Sequence, residues 1–142
     1  MSLTALADLA RAGRIELLVT QNVDGLHERA GMPPDRLITI HGSDAAVVCL
    51  ACGARAERAV AQQAWERGVA VPCCPCGGPW KPATISFGQP LVAADLERAF
   101  AAAAVTAILT ASETPFAAAT FRLHEPVERT LPALRDHLVP AA

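Results

Sequence analysis

Residues 15–25 read IELLVTQNVDG, and this stretch decides the fold class. Its first six residues, 15–20, form a compact run of β-forming residues with the length of a buried parallel strand. The polar loop 21–25 follows directly at the carboxyl end of that strand. Because ligands bind at this edge of open α/β sheets, the stretch predicts an α/β fold with a binding site in the loop.

The rest of the chain continues the α/β pattern. A second predicted strand runs directly into His41 and Gly42, so a polar residue again follows a strand. Pro132 is expected to interrupt the last helix, because proline lacks the N–H that a helix interior needs. The predicted helices cover residues 2–12, 27–30, 57–67, 93–104 and 127–138, and the further strands cover 37–40 and 105–110.

Charge and hydropathy exclude two classes of function. With 142 residues the chain has the length of one ordinary domain, and its net charge is −2 with 18% charged residues. A chain with this charge balance has no positive electrostatic field that would attract the phosphate backbone of a nucleic acid. The first residues lack a basic, then apolar, secretion signal, and no stretch approaches the ~20 apolar residues of a membrane span. We therefore expect a cytoplasmic protein whose partners include neither nucleic acid nor membrane.

Five cysteines are the strongest chemical signal. Cys49 and Cys52 form one CxxC pair, and Cys73 and Cys76 form a second pair after about twenty residues, which is zinc-ribbon spacing. A tetrahedral shell of four thiolates suits zinc and leaves no open position, so the metal would be structural. Cys74 is the odd cysteine and receives no ligand role, because with Cys76 it would leave only CxC. The alternative is a pair of buried or redox-active thiols.

The cysteines lie in a segment with its own composition. Residues 47–79 are rich in cysteine, glycine and proline around one predicted helix, whereas the α/β pattern lies on both sides, in residues 1–46 and 80–142. The sequence therefore predicts a small zinc-binding module inserted into an α/β layer.

The order of the motifs resembles a known family. Residues 19–31, VTQNVDGLHERAG, look like the TQNVDGLH signature of the sirtuins, and His41-Gly42 resembles their catalytic His-Gly. The two cysteine pairs follow in the family's order. Residues 81–89, KPATISFGQ, are similar to the family segment that ends in Phe-Gly-Glu or Phe-Gly-Gln. The chain is therefore identified as a member of the sirtuins, which are NAD-dependent protein-lysine deacylases with a structural zinc ion.

The resemblance implies a fold and a reaction. The fold would be a partial Rossmann-like parallel sheet with an inserted small zinc-ribbon module. In sirtuins an acyl-lysine attacks the nicotinamide ribose of NAD⁺, nicotinamide leaves, and a histidine deprotonates a ribose hydroxyl so that the acyl group moves to the sugar. The products are nicotinamide, deacylated lysine and O-acyl-ADP-ribose. The expected partner is an acyl-lysine protein or peptide.

The resemblance also assigns residues to roles. His41 matches the catalytic histidine, and an imidazole is a physically sensible base at neutral pH. Polar side chains in the first loop match the family residues that line the ribose and nicotinamide pocket. Residues of the later segment match the acyl-lysine tunnel, which pairs with the substrate backbone by strand addition. The pocket residues are Gln21, Asn22 and Asp24, and the tunnel residues are Ile85, Phe87 and Gly88.

Without the resemblance each of these residues has an ordinary structural interpretation. His41 would more often be a hydrogen-bonded structural histidine. Asn22 and Asp24 would be a helix cap or a turn, and Phe87 would be a core aromatic.

Two cofactor-contacting segments of the family have no counterpart in the sequence. They are the glycine-rich GAGxS segment, whose turn approaches phosphate closely, and a Gly-Thr-Ser loop. We interpret the chain as an N-terminally truncated and internally deleted sirtuin, in which residues 105–115 resemble the later strand and loop. The alternative function is a non-catalytic, zinc-stabilised module that binds peptides. Sheet edges left uncovered by the deletions could associate with other copies.

Overall fold

The computed structural model describes residues 2–102, 107–109, 121–123 and 127–139. No helix in these ranges is long and apolar enough to cross a bilayer. The helices are α1 (Ser2–Arg11), α2 (Leu26–Arg29), α3 (Arg58–Glu66), α4 (Ala93–Ala101) and α5 (Val127–Leu138), with a short 3₁₀ turn at Pro34–Arg36. The strands are β1 (Leu18–Thr20), β2 (Leu37–Thr39), β3 (Gly42–Cys49), β4 (Arg55–Glu57), β5 (Trp80–Thr84), β6 (Ala107–Leu109) and β7 (Phe121–Leu123).

The chain forms two compact units. The first consists of the described residues of Met1–Val19, Leu26–Ile38 and Ala93–Ala142, and the second consists of Thr20–Gly25 and Thr39–Val92. The second unit is thus wider than the module expected at residues 47–79. The assignment of residues 1–46 and 80–142 to a partial Rossmann-like NAD-binding domain, and of residues 47–79 to a structural zinc-binding module, stays a prediction.

The core of the first unit is the apolar face of α1. Ala5, Leu6 and Ala10 are buried against Met32 and against Leu131 of α5. The two alanines keep this face of the helix flat, so α5 packs closely on α1. Burial of this face explains why the helix forms where its apolar spacing predicts it.

Helix α5 runs without a break through Pro132, so the expected interruption there is wrong. Proline removes the N–H that would donate to the carbonyl of Glu128, and its ring crowds that carbonyl, one turn from the start of the helix. Leu131, beside the proline, is 3% exposed and packs into the core of the first unit. We attribute the continuity of the helix to this packing.

Short strands in the described ranges confirm the α/β expectation. β1 and β2 are neighbours in a two-stranded sheet, although β1 covers only the end of the run predicted at residues 15–20. β6 pairs in parallel with β7, and it confirms the described part of the strand predicted at 105–110. Residues 105, 106 and 110–115 lie outside the described residues, as do residues 103 and 104 of the predicted fourth helix.

The second unit is built on a three-stranded antiparallel sheet in the order β4–β3–β5. Val47 of the central strand lies opposite Ala56 of β4 and Pro82 of β5. The pairing of β3 with β5 is irregular between Ser43 and Val47. β3 begins at the His-Gly motif and ends at the first cysteine of the metal cluster, so one strand joins the two features.

Gly42 is required by the approach of β5 to the start of β3. Its φ is 78°, and a Cβ atom at this position would lie 2.2 Å from the carbonyl oxygen of Ala83 and 3.1 Å from the Cα of Thr84. Only glycine combines that backbone conformation with that contact. The glycine after His41 is therefore explained by packing.

We predict that Gly42→Ala lowers the free energy of unfolding by about 3 kcal/mol, which combines left-handed strain with overpacking against backbone. Gly68→Ala is the matched control, since Gly68 has a φ of 87° and open space around its Cα. The control should cost only about 1 kcal/mol. Urea unfolding of the two variants checks this, and equal midpoints would contradict the packing explanation.

Candidate active site and metal centre

Backbone hydrogen bonds fix the loop 21–25 beside His41. At the start of the loop, the N–H of Ile40 donates to the carbonyl of Thr20 at 3.0 Å. Near its end, the N–H of Asp44 donates to the carbonyl of Val23 at 2.9 Å. The two bonds lie on either side of His41 in the sequence, so the loop runs alongside the His-Gly motif.

The side chains expected in the cofactor pocket lie on this fixed loop. Gln21 and Asn22 are exposed, and Asp24 is half-buried. The N–H of Asn22 donates to the hydroxyl of Thr20 at 3.1 Å, and Thr20 is itself buried, so the first turn of the loop has a defined shape. Amide and carboxylate groups held in this way can bind hydroxyl and carboxamide groups of a ligand.

His41 is joined to the segment expected to bind the substrate. The carbonyl of His41 accepts a hydrogen bond from the N–H of Ile85 at 2.8 Å, immediately after β5. His41 itself is half-buried. The chain therefore leaves the sheet at Ile85, where it is bonded to the backbone of His41, the candidate base.

Residues 86–89 form a closed turn after Ile85. The N–H of Ser86 donates to the side-chain oxygen of Gln89 at 2.8 Å, and the N–H of Gln89 donates to the carbonyl of Ser86 at 3.0 Å. Gly88 has a φ of 81°, which the turn requires. Phe87, at the tip, is fully exposed, so it is not the core aromatic that its residue type alone would indicate.

All of these candidate residues belong to the second unit. The structure joins the three motifs through main-chain bonds of Val23 to Asp44 and of His41 to Ile85. The sequence predicted the motifs but not β3, the strand that connects them to the metal cluster. The catalytic and binding roles of the individual side chains stay predictions.

Four sulfur atoms form the only group of metal-ligand type in the described residues. The Sγ atoms of Cys49, Cys52, Cys74 and Cys76 all lie within 4.8 Å of one another. Cys49 and Cys76 are 3.5 Å apart, and Cys52 and Cys74 are 3.8 Å apart. A tetrahedron with Zn–S bonds of ~2.3 Å has edges of about 3.8 Å. The cluster therefore fits zinc.

The first cysteine pair lies on a tight turn at the end of β3. The N–H of Gly53 donates to the carbonyl of Cys49 at 3.0 Å, and the N–H of Cys49 donates to the carbonyl of Ala54 at 2.9 Å. The N–H of Ala51 points at the Cys49 sulfur at 3.4 Å. The turn thus presents backbone dipoles to a sulfur that would carry negative charge.

A second turn provides the other half of the cluster. The N–H of Cys74 donates to the carbonyl of Gly78, and the N–H of Gly77 donates to the carbonyl of Cys74, both at 2.8 Å. The N–H of Gly78 points at the Cys76 sulfur at 3.4 Å. Each of the two turns therefore directs one backbone N–H at one cysteine sulfur.

The pKa values of the thiols in the four-cysteine cluster are shifted in different directions. The backbone N–H of Cys52, with help from that of Ala51, lowers the pKa of Cys49 to about 6. For Cys74 and Cys76, backbone N–H groups favour the thiolate, but burial and the neighbouring sulfurs outweigh them and raise the pKa of both thiols. Binding of a metal to four thiolates would therefore release protons at neutral pH.

The position of Cys73 differs from the expected one. Cys73 is exposed and its sulfur contacts the carbonyl of Val71 at 3.3 Å, whereas Cys74 is 8% exposed and lies in the cluster. Cys73 forms an isolated antiparallel bridge with Pro79, and successive side chains of extended backbone point in opposite directions. The described cluster therefore contains Cys74 in the place where CxxC spacing predicts Cys73.

Gly78 leaves room for the cluster. A Cβ atom at this position would lie 2.6 Å from the Cys49 sulfur and 2.5 Å from the Cβ of Ala51. We predict that Gly78→Ala lowers zinc affinity about 10- to 100-fold. This is the typical range for substitutions of residues that contact and orient a metal ligand. Competition with a chromophoric chelator measures the affinity. Gly68→Ala should leave it unchanged, and an unchanged affinity in Gly78→Ala would contradict the fit.

Sequence comparison relates the chain to a family of deacetylases. A model described as the Sir2 family matches residues 2–114. A protein named NAD-dependent protein deacetylase from Haloarcula marismortui is 42% identical over 88 residues, which are 61% of this chain and 33% of that protein. NAD-dependent protein deacetylase 1 from Pyrobaculum aerophilum is 37% identical over 113 residues, which are 80% of this chain and 43% of that protein. The chain thus spans about a third to two fifths of the length of these curated relatives.

Solved structures give the same relationship. A Sir2 complex with a p53 peptide and NAD⁺ superposes with a TM-score of 0.79 at 23% identity, covering 96% of this chain and 68% of that one. A complex of a Sir2 homologue with NAD has a TM-score of 0.79 at 26% identity and covers 96% and 63%, respectively. The first of these likenesses establishes a shared fold. Since the family model matches well over half of the chain, we conclude that this protein belongs to the Sir2 family, the sirtuins.

Proposed function

We propose that the chain functions as an NAD-dependent protein-lysine deacylase of the sirtuin type, which converts NAD⁺ and acyl-lysine to nicotinamide, deacylated lysine and O-acyl-ADP-ribose. The observation that carries the proposal is the main-chain bonding of Val23 to Asp44 and of His41 to Ile85. These bonds bring a polar loop, a histidine and the exposed turn after β5 to one place in the second unit.

His41 would act as the general base. NAD⁺, when bound, supplies the ribose that receives the acyl group. The His41 imidazole would accept the proton of a ribose hydroxyl, and the hydrogen bond from Ile85 to its carbonyl would hold its backbone in place. Gln21, Asn22 and Asp24 would orient the ribose and the nicotinamide carboxamide through their amides and carboxylate.

Ile85, Phe87 and Gly88 would bind the acyl-lysine. The N–H of Ile85 already donates to His41, so it is not available to a peptide. The N–H groups of Ser86 and Gln89 are bonded within the turn, so main-chain pairing with the substrate would use Phe87 and Gly88, with the exposed Phe87 ring against the acyl-lysine side chain. Zinc in the cysteine cluster would stabilise the second unit and take no part in the reaction, because four thiolates leave no open position.

The substrate would be an acyl-lysine protein or peptide, as in a structure described as Sir2 bound to acetylated peptide. A cytoplasmic location, the absence of nucleic acid and membrane partners, and association through sheet edges stay predictions from the sequence.

Calorimetry and a nicotinamide assay test the proposal. The zinc-loaded chain should bind NAD⁺ and an acetyl-lysine peptide, and it should release nicotinamide only when both are present. The same peptide with unmodified lysine is the control. Peptide binding without any binding of NAD⁺ would replace the proposal with the alternative of a zinc-stabilised peptide-binding module. If the folded chain binds neither ligand, both the deacylase proposal and the alternative of a peptide-binding module are contradicted.

A further inference from the structure

We propose that Cys74, and not Cys73, is the fourth zinc ligand, so that the second half of the metal site is a Cys-Pro-Cys pair at residues 74–76. Cys73 is then a free thiol beside the metal centre. This inference concerns the metal centre of the function proposed above, but it does not depend on catalytic activity.

The distances favour this ligand set. The Cys74 sulfur is 3.8 Å from the sulfur of Cys52, which matches the edge of about 3.8 Å expected for a zinc tetrathiolate. Cys76 completes the opposite edge at 3.5 Å from Cys49. The Cys73 sulfur is not a member of the group, and it contacts a backbone carbonyl instead.

The main chain fixes which of the two adjacent cysteines points inward. Pairing of Cys73 with Pro79 is followed by a bond from the N–H of Trp80 to the carbonyl of Pro72 at 3.0 Å, so the strand leading into the turn is held in one register. In extended backbone a shift of one residue reverses every side chain. Cys73 could enter the cluster only if this register and the bond between Cys74 and Gly78 were both broken.

Burial agrees with the register. Cys74 is 8% exposed, whereas Cys73 lies at the surface. The turn that holds Cys74 also requires Gly78, whose missing side chain admits the Cys49 sulfur. A short Cys-Pro-Cys turn followed by two glycines therefore replaces the longer CxxC turn in this half of the site.

Thiol labelling of the wild-type protein tests the assignment without any substitution. The zinc-loaded chain is treated with iodoacetamide under native conditions, and the labelled cysteines are mapped by mass spectrometry. We expect one label per chain, at Cys73, and labels at all five cysteines after chelation and denaturation. Labelling at Cys74 with Cys73 protected, equal labelling of both, or protection of both would overturn the assignment.

Two variants give an independent readout. Cys73→Ser should keep one zinc ion per chain and leave the thiolate-to-cobalt absorption of the Co²⁺-substituted protein unchanged. Cys74→Ser should lose the metal or about a quarter of that absorption, since one of four thiolates is removed. The reverse pattern, or full absorption in both variants, would overturn the assignment. If Cys74→Ser does not fold, the labelling of the wild type decides.

Discussion

Removal of zinc should unfold the second unit while the first keeps its helices. Among the described residues, the buried apolar side chains of the second unit, apart from two cysteines, are Ile40, Val47 and Ala83. A core this small does not hold a unit of its size together, so the metal supplies the missing crosslink. Because the free energy of binding a structural zinc ion is coupled to folding, we expect chelation to lower the Tm by more than about 10 °C.

Tryptophan fluorescence isolates the response of the second unit. Both tryptophans of the chain, Trp65 and Trp80, lie in this unit, and Trp80 is half-buried. Chelation should shift their emission to the red, whereas circular dichroism should retain helical signal from α1 and α5, whose packing involves no cysteine. The Cys73→Ser variant, loaded with zinc, is the control and should match the wild type. An emission spectrum that does not change when zinc is lost would contradict a structural role for the metal.

Replacement of His41 by alanine should reduce the rate of deacylation about 10²- to 10⁴-fold, the usual contribution of a general base. The effect should appear in kcat, because the proposed role of His41 is in proton transfer. KM for the peptide should change little, since Ile85 bonds to the backbone of residue 41 and alanine keeps that carbonyl.

The control for this variant is His137→Ala, which removes an exposed histidine from α5. Initial rates over a range of peptide concentrations separate kcat from KM, and zinc content with tryptophan emission shows that both variants are folded. Equal kcat values for the wild type and His41→Ala would exclude His41 as the base.

Local patterns in the sequence predicted the elements whose stability is local. α1 and α3 lie within the residues predicted for them, because a helix makes its hydrogen bonds within its own segment. The same is true of the polar loop after β1, whose residues are favoured in turns.

β3 was missed because its residues carry no strand signal of their own. Residues 42–49 read GSDAAVVC, in which small and polar residues hide any alternation. The strand exists because β4 and β5 pair with it on both sides, and such pairing depends on residues distant in sequence.

The difference between the predicted Cys73 and the observed Cys74 in the cluster has a related reason. Spacing counts residues, but it does not give the direction of a side chain. That direction is set by the bridge between Cys73 and Pro79, which is a tertiary feature. Pro132 shows the converse case, in which a strong local signal was overruled by the packing of its neighbour Leu131.

The central claim is that the loop 21–25, His41 and the segment after β5 form one deacylase site. The most direct test measures nicotinamide and deacetylated peptide in the same reaction of the zinc-loaded chain with NAD⁺ and an acetyl-lysine peptide. We predict equal amounts of the two products, and the loss of deacetylated peptide in His41→Ala at unchanged zinc content. Formation of neither product by the folded, zinc-loaded chain, or nicotinamide release without deacetylation in the wild type, would contradict the claim.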